Sequence, residues 1–139
     1  MDEKTGKFHI VGIGASAGGL EALEKFFTAM PPDGDMGYVV VQHLSPDYKS
    51  HMVELLSKYT PMPVHEAKDG TTVIPNNVYL LPRRKNMTIN QGKLVLVDHE
   101  RTRSLNLPID IFFESLAKDQ GEMAIAIVLS GTGSDGLYP

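Results

Sequence analysis

The chain has 139 residues, 42% of them hydrophobic and 22% charged, and a formal net charge of −4. These values are typical of one globular domain, and the acidic balance argues against a nucleic-acid or anionic membrane partner. The absence of cysteine excludes disulfides, thiolate metal sites and cysteine nucleophiles. With a polar N-terminus and no apolar stretch approaching the ~20 residues that cross a bilayer, we expect a cytoplasmic protein.

The first half of the chain predicts alternating strands and helices. In chain order the elements are a strand at 8–13, a helix at 20–30, a strand at 38–41, a helix at 45–59 and a strand at 64–67. Each helix has an apolar face that we expect to be buried. These faces consist of Leu20, Leu23, Phe27 and Met30 in the first helix, and of Met52, Leu55, Leu56 and Tyr59 in the second.

The second half adds a hairpin and a further helix–strand unit. Its predicted elements are a strand at 78–81, hairpin strands at 86–90 and 93–97, a helix at 108–120 and a strand at 124–129. Gln91-Gly92 forms the hairpin turn, and Asn106 is the predicted N-cap of the helix, with Pro108 in its first turn. The sequence therefore predicts an α/β fold with a doubly wound, mostly parallel sheet, helices on both faces and an antiparallel β-hairpin.

Three polar segments follow three of the predicted strands. They begin at Gly14, at Gln42 and at Ser130. Ligands of such sheets bind beyond the carboxyl ends of the strands, where the strand order reverses. If these strands are neighbours, the polar segments meet at one edge of the sheet.

The first polar segment contains Ser16 in the pattern Gly14-Ala15-Ser16-Ala17-Gly18, between a strand and a helix. This is the G-x-S-x-G arrangement that presents a serine nucleophile. The same stretch also fits a relaxed dinucleotide fingerprint, Gly12-x-Gly14-x-x-Ala17, so nucleotide binding is one alternative, and a plain tight turn is another. A nicotinamide site needs an acidic residue at the end of the second strand, where this chain has Gln42 and His43. Neither glycine-rich segment continues as Gly-Lys-Ser/Thr, which argues against a P-loop.

His43 and Asp135 follow two other strands and are candidate partners of Ser16. A serine hydroxyl becomes a good nucleophile only when a nearby base such as an imidazole removes its proton. Asp135 would then accept the imidazole N–H and fix its tautomer, while Thr132 or Gly133 could supply a backbone oxyanion donor. The alternatives are a strand-end histidine bonded to backbone and an aspartate that caps a helix. The remaining histidines have no metal-ligand spacing, so no metal site is expected.

The three candidate residues occur along the chain in the order Ser, His, Asp, and in this the sequence resembles the catalytic domain of the CheB family of chemotaxis methylesterases. The resemblance is carried from residue 8 onward by segments 11–22, 41–44, 78–82, 107–113 and 129–136. It implies Ser16 as nucleophile, His43 as general base and acid, Asp135 as the orienting carboxylate, and no cofactor. The oxyanion would be bound by backbone at Ala17, Thr132 and Gly133, although the family often has methionine in place of Thr132.

The resemblance also implies a function and partners. Such domains hydrolyse γ-methyl esters on receptor glutamates, some deamidate receptor glutamines, and hybrid proteins join them to a methyltransferase domain. We expect residues 1–7 to be a flexible lead and residues 8–139 a methylesterase-type domain, shortened at its C-terminal end and without a receiver domain. A catalytically weak or inactive binding module is the alternative function, and a homo-oligomer is an open alternative for assembly.

Overall fold

The structure is a computed structural model that describes residues 7–15, 20–42, 51–98 and 107–129. Seven strands, three α-helices and one 3-10 helix, Gly121–Met123, lie in these ranges. The strands are β1 (Ile10–Ala15), β2 (Gly37–Gln42), β3 (Val64–Glu66), β4 (Val78–Leu80), β5 (Lys85–Asn90), β6 (Lys93–Asp98) and β7 (Ala124–Leu129). The helices are α1 (Leu20–Ala29), α2 (Met52–Ser57) and α3 (Pro108–Gln120).

Five strands form a parallel sheet in the order β3-β4-β2-β1-β7. β5 and β6 pair antiparallel as a separate hairpin. From β1 the chain passes to β2, continues to β3 at the edge of the sheet and comes back to β4 between β3 and β2, and it later places β7 on the other side of β1. The predicted fold class, a doubly wound and mostly parallel sheet with an antiparallel hairpin, is therefore confirmed.

Alternate residues of the central strands face two different hydrophobic layers. Val11 and Ile13 of β1 pack with Leu23 and Phe27 of α1, in a layer that also includes α2. On the opposite face, Ile10 lies in a layer with α3 and the hairpin. A strand buried on both faces has a nearly continuous apolar sequence, which is why β1 and β2 lack the polar alternation of a half-exposed strand.

Helix α3 lies directly against two glycines of β1. A Cβ atom on Gly12 would be 2.9 Å from Leu116 Cδ2, and one on Gly14 would be 2.6 Å from Ile109 Cγ2. Both distances are too short for real contacts, so the absence of side chains allows α3 to approach the sheet. It also explains why β1 extends to Ala15, two residues beyond the predicted end at Ile13: Gly14 belongs to the strand rather than to the turn after it.

The hairpin is attached to α3 at its turn. Gln91 and Gly92 both have positive φ, 54° and 77°, as a two-residue type I′ turn requires, so the predicted turn is confirmed. Their N–H groups donate to the Asp119 carboxylate at 2.6 and 3.0 Å. Burial alone would raise the pKa of Asp119, but these two bonds and one from Gln120 outweigh it and lower the pKa below its ordinary value of 3.8.

Replacing Asp119 with asparagine is expected to lower the free energy of unfolding by about 1 kcal/mol at neutral pH, because the side chain loses its charge and one of its two acceptor oxygens in a partly exposed position. A carboxyl whose pKa falls on folding stabilises the fold above its unfolded pKa, and this contribution disappears as pH falls through the folded value. The difference between the wild type and the variant should therefore shrink below about pH 4. Urea titrations monitored by circular dichroism measure it.

The matched control is Glu114→Gln, an exposed carboxylate on the same helix. Its removal should change the free energy of unfolding by less than about 0.5 kcal/mol. An Asp119→Asn effect that is absent at neutral pH, or that grows as pH falls, would contradict the role assigned to Asp119.

Two details differ from the predicted helices. Tyr59 was expected to be buried but is 38% exposed, because α2 ends at Ser57 and the chain turns before reaching it. The N-cap position of α3 is Leu107, which makes no side-chain capping bond, rather than the predicted Asn106, which lies outside the described residues. Pro108 occupies the first turn as predicted, where its missing N–H has no helical partner to lose.

Candidate active site

Three strands end in one row at the carboxyl edge of the sheet. Ala15, the last residue of β1, pairs with Gln42 at the end of β2 and with Leu129 at the end of β7. The three strands predicted to carry polar segments are therefore adjacent, parallel and in register. The order of the strands decides whether these segments could meet, and the sequence does not show it. The structure gives this order.

The predicted site residues continue directly from this row. They lie outside the residues that the structure describes and are Ser16, Ala17, His43, Thr132, Gly133 and Asp135. By covalent connection, Ser16 follows Ala15 and His43 follows Gln42, while Asp135 is in the segment that leaves Leu129. Their proposed roles therefore remain predictions. The structure supports them only by placing the three strand ends next to one another.

Gln42 is the site-edge residue whose importance the sequence did not reveal. Its side chain faces the α1 and α2 side of the sheet and is only 8% exposed, and among the residues that the structure describes none is a hydrogen-bond partner of its Oε1 atom. It lines a cavity of about 180 Å³ between the ends of β2 and β4 and helix α2. Its position at the end of an apolar strand was visible in the sequence, but its burial depends on α2 and could not be predicted.

The histidines in the described part of the chain have their own partners or lie away from the strand ends. His51, just before α2, has Nδ1 3.4 Å from Glu54 Oε1. His65 on β3 has Nε2 2.8 Å from Asn77 Oδ1, and its ring stacks on Tyr79. Within residues 7–15, 20–42, 51–98 and 107–129, no group of three metal-ligating side chains is present.

The nucleotide-binding alternative loses its main support in β1. Gly12 and Gly14 are both inside the strand, paired with β2 and β7, and not in a turn that follows it. A dinucleotide fingerprint needs its glycines at the turn, where backbone approaches the pyrophosphate. Here the same two glycines are explained by the close packing of α3.

The fold and the row of strand ends define an α/β domain of the doubly wound class, with a candidate serine-containing site at its carboxyl edge. Within that class, residues 11–138 match the family described as CheB methylesterase. The chain belongs to the CheB methylesterase family. No helix in the described part of the chain is long and apolar enough to cross a membrane.

Individual relatives agree with this assignment. The chain is 35% identical over 131 residues to a protein-glutamate methylesterase/protein-glutamine glutaminase of Bacillus subtilis and 31% identical over 135 residues to one of Treponema denticola. These alignments cover 91% and 94% of the chain but 37% and 36% of the relatives. The crystal structure of the Thermotoga maritima CheB methylesterase catalytic domain superposes with a TM-score of 0.76 and 28% identity, over 91% of this chain and 69% of that one.

Proposed function

We propose that this chain is a serine hydrolase that removes methyl groups from glutamate γ-methyl esters of a chemoreceptor-type protein, and that it also deamidates glutamines. The observation that carries the proposal is the register of Ala15 with Gln42 and Leu129. Neighbouring strands are about 4.8 Å apart, and Ser16 and His43 are the next residues of the chain after the paired residues Ala15 and Gln42.

The chemistry follows from the roles proposed for three side chains. His43 takes the proton of the Ser16 hydroxyl as its oxygen attacks the ester carbonyl. The negative oxygen of the tetrahedral intermediate accepts hydrogen bonds from backbone N–H groups near Ala17, Thr132 and Gly133. His43 then gives the proton to the departing methoxide, which leaves as methanol, and Asp135 stabilises the imidazolium in between. Water attacks the acyl-enzyme by the same route and releases the glutamate carboxylate; with glutamine the first product is ammonia.

The proposed function also implies a protein substrate and a partner enzyme. The names of the relatives, protein-glutamate methylesterase and protein-glutamine glutaminase, support a protein substrate with methylated or amidated glutamyl residues. A methyltransferase that forms the ester is the matching partner activity. The cytoplasmic location, the domain bounds and the assembly state predicted from the sequence stay predictions.

The test combines turnover with labelling. The purified chain should release methanol from a methylated receptor fragment, and a fluorophosphonate probe should attach to one peptide, the one that contains Ser16. Mass spectrometry of the digested adduct identifies the residue. Receptor binding without methanol release or labelling would support the alternative, an inactive binding module, and would contradict the proposed hydrolase.

A further inference from the structure

The cavity beside Gln42 has a partly apolar wall and lies next to the row of strand ends. Val40 and Leu80, from β2 and β4, are on its sheet side, and Met52 and Val53 are on the side of α2. Its volume of about 180 Å³ is many times the space that one water needs, but it is below the size of pockets for drug-sized ligands. The cavity therefore has the dimensions for one inserted side chain.

Gln42 gives this cavity an acceptor that lacks a donor. The residue is only 8% exposed, and among the described residues none donates a hydrogen bond to its Oε1 atom. A buried carboxamide oxygen is normally hydrogen-bonded. The last torsion of a glutamine side chain has broad preferences, so a rotation about it turns this oxygen toward an occupant of the cavity. The site therefore requires an N–H or O–H donor from its occupant.

The carboxylates around the cavity favour a donor with a positive charge. Glu54 and Glu66 line it and are exposed, so they are on its solvent side, where Glu54 Oε1 is 3.4 Å from His51 Nδ1. None of the described lining residues is a lysine or an arginine. A compact cavity of about 180 Å³ is roughly 7 Å across, within the range of about 8 Å over which charges act at physiological ionic strength. A cation in the cavity is therefore attracted by both carboxylates, and an anion is repelled.

Among basic side chains, arginine suits this cavity better than lysine. Its planar guanidinium has five N–H donors and is more weakly hydrated than an ammonium, so it leaves water at a lower cost. One N–H can donate to Gln42 Oε1 while others remain for the carboxylates at the mouth. The methylene stem of an arginine packs on apolar surface, which Leu80 and Met52 provide here.

The position of the cavity relates its occupant to the proposed reaction. Gln42 pairs with Ala15 across neighbouring strands, and Ala15 immediately precedes the proposed nucleophile Ser16. Adjacent strands are about 4.8 Å apart, so the cavity borders the strand ends that precede the proposed site. A protein whose glutamyl side chain reaches Ser16 brings other residues of its own chain close to the cavity.

We infer that the cavity is a substrate subsite for the guanidinium of an arginine side chain, one that lies near the hydrolysed glutamyl residue in the bound protein. Gln42 Oε1 accepts a hydrogen bond from the guanidinium, and Glu54 and Glu66 supply the counter-charge. The subsite thus favours glutamyl residues that have an arginine at a suitable distance over those that do not. Its assignment to the substrate rests on the proposed hydrolase function.

Binding to the subsite can be measured without catalysis. Acetyl-arginine methylamide and its neutral analogue, acetyl-citrulline methylamide, are titrated into the isotope-labelled full chain at low ionic strength, and the Gln42 side-chain amide signals are followed by NMR. The arginine compound should shift these signals with an affinity at least about tenfold higher than that of the citrulline compound, because charged donors make the stronger hydrogen bonds. Equal affinities, or no shift with the arginine compound, would overturn the inference.

Substitutions on the cavity wall test which groups hold the guanidinium. Followed by the backbone N–H signal of Val53, binding of the arginine compound should weaken about tenfold in Gln42→Leu and about fivefold in the double variant Glu54→Gln/Glu66→Gln. Glu114→Gln is the matched control, since it removes the same charge from an exposed position on α3, on the other face of the sheet, and should bind like the wild type. Circular dichroism checks that each variant is folded. If Gln42→Leu is not, the double variant decides, because its changes are at exposed positions; unchanged affinity in a folded variant contradicts the role assigned to the replaced groups.

A peptide series tests the subsite during turnover. Each peptide has one glutamyl methyl ester, with either arginine or citrulline at one of the successive positions on both sides of it. At one position or more, arginine should raise kcat/KM for methanol release about fivefold over citrulline, and the double variant should lose this preference while Glu114→Gln keeps it. Equal kcat/KM values at every position would overturn the assignment of the cavity to the substrate. If the wild type releases no methanol from any peptide, the proposed function fails, while the NMR titration still decides whether the arginine site exists.

Discussion

Replacing Ser16 with alanine is expected to reduce methanol release from a methylated receptor fragment at least about a thousandfold. The variant has no oxygen with which to form the acyl-enzyme, so hydrolysis would depend on water held by the remaining groups. Fluorophosphonate labelling should disappear together with turnover. Receptor binding should remain within about twofold of the wild type, because the substitution removes one small hydroxyl, and calorimetric titration measures it.

Ser57→Ala is the control for this experiment. Ser57 is an exposed serine on α2 whose hydroxyl donates to the Val53 carbonyl at 2.6 Å. Its removal should leave both methanol release and labelling at the wild-type level. Turnover of the Ser16→Ala variant within tenfold of the wild type would show that Ser16 is not the nucleophile.

Replacing Gly14 with alanine is expected to lower the free energy of unfolding by about 1–3 kcal/mol through overpacking. The new methyl group would be 2.6 Å from Ile109 Cγ2 and 3.1 Å from Ile109 Cδ1, so α3 has to move away from β1. In an Ile109→Ala background these atoms are absent and the cost should largely disappear, with a coupling energy of about 1–2 kcal/mol. Because the chain has no tryptophan, urea unfolding is best followed by circular dichroism.

Gly34→Ala is the corresponding control. A Cβ at Gly34 would come no closer than 3.7 Å to any neighbour, and its φ is not positive. Alanine at this position should therefore leave the protein as stable as before, or more stable by up to about 1 kcal/mol through a less flexible unfolded chain. If Gly14→Ala costs the same with and without the Ile109 side chain, the contact between α3 and β1 does not explain the glycine.

The elements of the fold could be predicted from the sequence because their signals are local. The apolar run at Tyr38 and the Gln91-Gly92 turn each depend on neighbouring residues, and both appear in the structure as predicted. The end of β1 was misjudged because glycine favours turns in a single sequence. Only the contact of Gly14 with Ile109, 95 positions later in the chain, explains glycine within a strand.

The candidate site could be predicted in part. The sequence predicts Ser16, His43 and Asp135 as candidates from the segments that contain them, and their roles stay predictions. Whether these segments share an edge depends on strand order, a long-range property that no local pattern encodes. The buried state of Gln42 could not be predicted for a similar reason, because it requires α2 to cover the end of β2.

The pairing of β1 has a consequence for the way the protein reaches its fold. Ile10 is among the first described residues and Ala124 is near the last, yet they are partners in the sheet. Non-local pairing of this kind slows folding, since a long loop has to close before its contacts are gained. On the ribosome, β1 and β2 can associate early, but β7 is synthesised later, after the hairpin and α3. The nascent chain therefore gains the third strand of the row only after these elements have been made.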